Sequence, residues 1–74
     1  MDESKSIMHM QRTFTDCEHG GDIDEIKEII WKNGGKITHE QFHYDSEQLY
    51  LEWEVEDAAK FRKAVKGEYW FGSY

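Results

Sequence analysis

Cys17 and His19 stand two residues apart in a polar stretch, and Met8, His9 and Met10 follow one another just upstream. Thiolate, imidazole and thioether groups are the donors that hold copper or zinc. Cys17, His19 and the Met8–Met10 segment therefore outline a small metal- or ligand-sensing regulatory domain. Geometry argues against it, because His9 and Met10 would point to opposite faces of an extended strand. His39 and His43 share a strand face but stand about 13 Å apart at ~3.3 Å per residue, too far to chelate one ion. No metal and no cofactor is expected. His19-Gly20-Gly21 is too short for an oxyanion-hole signature, and the chain carries no Walker loop, dinucleotide-binding fingerprint, GxSxG or paired-cysteine pattern. With 74 residues there is little room for a supported catalytic pocket, so no enzyme is expected.

The carboxylates are more informative. Between Ile37 and Ala59 lie Glu40, Asp45, Glu47, Glu52, Glu54, Glu56 and Asp57, without one Lys or Arg. A second group, Asp16, Glu18, Asp22, Asp24, Glu25 and Glu28, is relieved only by Lys27, while Lys60, Arg62, Lys63 and Lys66 gather downstream. Helix-dipole preference accounts for acids early in one helix and bases late in another, but not for acids along a strand. Glu52 and Glu54 would share one face, roughly 6.6–6.8 Å apart. That spacing is of the order of the phosphate spacing along a nucleic-acid strand.

Sixteen acids against nine bases leave a net charge of −7. Such a balance disfavours direct contact with nucleic acid or an anionic membrane, both of which would repel it. No apolar run approaches the ~20 residues of a membrane span, and the opening residues do not read as a secretory signal. A single cysteine offers no internal disulfide, which points to the reducing cytoplasm. Aromatic residues at 15% are more than a disordered chain usually carries.

Residues 1–6 read as a flexible N-terminus and 7–74 as one domain. A strand is expected over 7–15, with Met8, Met10 and Phe14 on one face; Arg12 falls on that face too and requires a bulge or a snorkelling side chain. Asp22 followed by Glu25 resembles a capping box, and Ile23, Ile26, Ile29 and Ile30 form the apolar stripe of a helix over 23–33 that Asn33-Gly34-Gly35 stops. A second strand follows over 36–44 and a turn over 45–47. Leu49, Leu51, Trp53 and Val55 then alternate with polar residues in the clearest strand of the chain. Glu56-Asp57 caps a second helix with Ala58, Phe61, Ala64 and Val65 inward, ended by Gly67. Glu68 to Phe71 reads as a short aromatic strand. The order β-α-β-β-α-β predicts an α+β, ferredoxin-like fold: a four-stranded antiparallel sheet with two helices on one face and the first and third strands central.

RNA-recognition modules use this fold with stacking aromatics on the open sheet face. Here that face offers Tyr50 among acids, and no basic glycine-aromatic motif is present. The expected partner is instead a basic surface on another protein, such as one that normally grips nucleic acid. Glu40, Asp45, Glu47, Glu52 and Glu54 would supply charge and Tyr50 contact area. Tyr69, Trp70, Phe71 and Tyr74 are too many aromatics for one small core, which suggests self-association as a homodimer. In size, acidity and lack of catalytic motifs, the chain resembles the small acidic early proteins by which phages inhibit host proteins, some of them DNA mimics. The likeness spans the whole chain and is one of type, without a diagnostic motif. It implies a viral, inhibitory, nucleic-acid-mimicking role and transfers no individual residue.

Overall fold

The computed structural model describes residues 7–72. Both the expected flexible segment 1–6 and Tyr74 lie outside the described residues. The elements run β1 (Met8–Phe14), α1 (Gly21–Lys32), β2 (Lys36–His43), β3 (Gln48–Val55) and α2 (Ala58–Val65), followed by a 3-10 turn at Tyr69–Phe71. Among the described residues the sheet has three strands in the order β1-β3-β2, both pairings antiparallel.

β3 is central because its alternation suits a strand paired on both sides. Leu49, Leu51, Trp53 and Val55 are buried, and the residues between them are half-buried. Register carries that alternation to β1, where Met10 lies opposite Trp53 and Phe14 opposite Leu49. Arg12, opposite Leu51, is half-buried and holds its guanidinium 5.5 Å from the centre of the Phe14 ring. β1 therefore admits its misplaced Arg without a bulge; the irregularity lies in β2, between Ile37 and His39. Met8 does not share the burial of Met10 and is 46% exposed.

Ile23, Ile26, Ile29 and Ile30 from α1 and Ala58, Phe61 and Val65 from α2 complete one core with the inward strand residues. Each fully buried aliphatic or aromatic side chain of this kind is worth about 1.5–3 kcal/mol. Ala64, expected inward, is exposed. Gly34 at φ 90° stops α1. Gly35 lies so close to the core that an added Cβ would meet Ile30 at 2.5 Å and Trp53 at 3.1 Å. The chain can therefore turn from helix to strand directly over the Trp53 ring.

Two helix starts differ in kind. Asp57 caps α2 as expected, its carboxylate accepting the Lys60 N–H at 3.0 Å. The start of α1 departs from the expected capping box: the helix begins at Gly21 behind Gly20, without a side-chain cap. Asp22 lies inside the first turn and turns backward, its carboxylate accepting the Glu18 N–H at 2.8 Å.

The fourth strand is not formed. Glu68 to Phe71 coils instead, with Phe71 N–H donating to the Glu68 carbonyl at 3.0 Å. A strand would place Tyr69 and Phe71 on the same face; here Tyr69 is 85% exposed and Phe71 fully buried. Phe71 meets Phe14 edge-on at 5.2 Å, with Phe61 and Trp53 at 6.1 and 6.3 Å. Filling that aromatic socket wins over extending the sheet, and β1, expected to be central, becomes an edge.

Candidate functional site

The loop after β1 and the β2–β3 hairpin meet at one end of the molecule. Cys17 N–H donates to the Glu47 carbonyl at 3.0 Å, and Asp16 and Glu47 both adopt left-handed φ, 56° and 53°. Cys17 is fully buried, with its thiol 3.7 Å from the Thr15 carbonyl. Burial pushes the thiol pKa up, the charges of Asp22 and Asp16 push it further, and a hydrogen bond with the Leu49 backbone opposes them. Burial and those charges both favour the protonated, weakly nucleophilic form of the thiol. Asp22 is tied to the same loop through its hydrogen bond with Glu18, and the Cys17–Glu47 bond brings that loop against the hairpin that carries Asp45 and Glu47.

An aromatic trio stands on the same junction. The His19 ring lies 5.4 Å from Phe42 and 5.2 Å from Tyr44, while Phe42 and Tyr44 meet edge-on at 4.9 Å. Tyr44 Oη is 3.2 Å from His19 Nε2, yet its side chain remains 68% exposed. The chain segments that build this end, 13–26 and 37–48, contain no Lys or Arg. The result is an exposed aromatic group set among carboxylates.

The open face of the sheet is more mixed than β3 alone suggests. Tyr50, Glu52 and Glu54 lie on it in a row, but register sets other groups beside the carboxylates on both neighbouring strands. Glu54 is opposite His9 on β1 and Lys36 on β2, and Glu52 is opposite Gln11 and His39. His9 Nδ1 approaches Glu54 to 3.5 Å, an ion pair only when the imidazole is protonated. Tyr50 Oη stands 2.5 Å from Glu52 Oε2 and 3.1 Å from the Gln11 side-chain amide. One hydroxyl proton serves one acceptor, so it goes to the charged carboxylate; a half-turn of the Gln11 amide lets its NH2 group donate to the same oxygen. The hydrogen bond to Glu52, then burial, then the Glu52 charge raise the Tyr50 pKa.

The six residues expected to bind a partner thus divide three ways. Asp45 and Glu47 join the acidic end, and Tyr50, Glu52 and Glu54 line the open face that continues from it along β3. Glu40 faces the helices, opposite Leu51, where Lys27 Nζ holds its carboxylate at 2.8 Å. Of the expected self-association residues, Tyr69 is exposed and meets half-buried Trp70 edge-on at 5.1 Å, whereas Phe71 belongs to the core. Among the described residues no group of three His, Cys, Asp or Glu could hold a metal ion, and Cys17 and His19 are committed to different neighbours. No described helix is long and apolar enough to cross a membrane.

Reading along the chain missed the aromatic trio, although a Phe and a Tyr flanking His43 just before a turn were a visible signal. It also missed Trp31, which falls one position beyond the isoleucine stripe of α1 and is 77% exposed. In comparison with known proteins, the chain matches no family model, no curated protein and no solved structure.

Proposed function

We propose that this is a non-enzymatic protein-binding domain whose carboxylate-rich end docks a basic surface of another protein. The observation that supports it best is the Cys17–Glu47 hydrogen bond, which clamps together segments 13–26 and 37–48, both rich in acids and neither containing a Lys or Arg. Asp16, Glu18, Asp22, Asp45 and Glu47 supply long-range attraction, and exposed Tyr44 supplies the contact area that excludes water. Tyr50, Glu52 and Glu54 extend the surface onto the open sheet face. In its sharper form the reading is nucleic-acid mimicry, with carboxylates taking the places of phosphates on a DNA- or RNA-binding protein. The setting is the cytoplasm, where a buried lone thiol stays reduced.

Affinity capture from a cell lysate tests this with the Asp45→Lys, Glu47→Lys double variant as its control. Wild type is expected to retain basic proteins at low salt and release them at high salt, while the variant retains none of them. Identical captured sets from the two proteins dispose of the proposal.

A further inference from the structure

Trp31 borders a groove of about 700 Å³ that lies between α1 and the outer edge of β2. Lys27, Glu28 and Trp31 form its helix wall, and Gly35, Lys36 and Ile37 its strand wall. β2 bonds only to β3 in the described sheet, so the backbone groups on its far edge have no strand partner among the described residues. An apolar trough beside an unpaired strand edge is the arrangement by which domains take up an extended peptide as an added strand.

Charge decides which peptide. Lys27 is committed to Glu40 at 2.8 Å, whereas Lys36, in register with Glu54, makes no ion pair among the described residues. Asp24 and Glu28 also line the groove, one helical turn apart, and make no ion pair among the described residues. Two unpaired acids against one unpaired lysine among the described residues therefore leave this groove with a small negative excess. A second copy of the chain, itself at −7, is a poor electrostatic match.

We propose that the groove between α1 and β2 binds an extended basic peptide segment as a strand alongside β2, with an apolar side chain against Trp31 and Ile37 and a Lys or Arg facing Asp24 and Glu28. The proposal shares the protein-binding reading above but uses a separate surface.

The test is selection of random nonamers displayed on phage against the full chain, followed by titration of the enriched peptides in synthetic form. Enriched sequences are expected to carry an apolar residue beside Lys or Arg. Trp31→Ala, at an exposed position where substitution should leave thermal unfolding unchanged, should weaken them at least about tenfold. Glu28→Lys should weaken them too, and N-methylation of alternate peptide amides should abolish binding in one register only. Lack of enrichment, or equal binding by wild type and Trp31→Ala, overturns the proposal. So does sedimentation showing a dimer that Trp31→Ala dissociates, which would make a second copy the occupant. Peptides that lose binding to Asp45→Lys, Glu47→Lys but not to Trp31→Ala overturn the groove while supporting the acidic end.

Discussion

Glu47 accepts the Cys17 backbone N–H while itself holding a left-handed conformation, φ 53°. The clamp that gathers the carboxylates thus depends on a backbone angle that costs a non-glycine residue about 1–2 kcal/mol. Glycine relieves that cost but loses more freedom on folding. Glu47→Gly should therefore leave the urea midpoint unchanged or slightly raised. Glu47→Val, β-branched at the same angle, should lower stability by about 1–2 kcal/mol, read from the same urea curves.

Cys17 should make the protein sensitive to alkali. Its thiol pKa is raised from the ordinary 9.0, first by burial and then by Asp22 and Asp16. The folded state holds this proton more tightly than the unfolded chain. Its stabilising contribution is therefore complete below pH 9 and fades as pH rises beyond it. Urea midpoints measured from pH 8 upward should fall faster for wild type than for Cys17→Ala, despite the lower starting stability of the variant.

Tyr50 reports on Glu52 directly. With its hydroxyl bonded to that carboxylate, it should ionise above its ordinary value of 10.0. Ultraviolet titration of wild type minus Tyr50→Phe isolates this phenol from the other three tyrosines. Glu52→Gln should move the isolated transition down toward 10.0, because the charge favouring the protonated phenol has gone.

The two aromatics of the C-terminal turn should behave oppositely. Phe71→Ala leaves a void against Phe14, Phe61 and Trp53 and should cost about 3–5 kcal/mol, enough to unfold a large fraction of so small a domain. Tyr69→Ala, at a position 85% exposed, should stay within about 0.5 kcal/mol of wild type by thermal unfolding.

Asp57→Ala removes the acceptor of the Lys60 N–H at the start of α2. A loss of about 1 kcal/mol is expected in the urea unfolding free energy. Asp57→Asn, which keeps a side-chain oxygen, should recover most of it.

The sequence by itself determined the elements whose signal is local. The isoleucine stripe of α1 repeats at the helical period, Leu49 to Val55 alternate at the strand period, and Asp57 caps through atoms three residues away. Each depends on neighbours within one or two turns of chain, so spacing alone reveals it. The absence of bases from 37–59 was equally legible, and with it the acidic character of the hairpin.

Only the tertiary structure decided what those elements face. Register between strands set Lys36 and His9 beside Glu54, turned Glu40 toward Lys27, and joined Cys17 to Glu47 across thirty residues of chain. Competition for one small core drew Phe71 into the socket beside Phe14, and the strand expected from the run of aromatics coiled into a turn. Spacing along a chain says which side chains share a face, but not which segment will lie opposite. That choice belongs to packing among distant residues, and it set where the acids, the aromatic trio and the Trp31 groove stand.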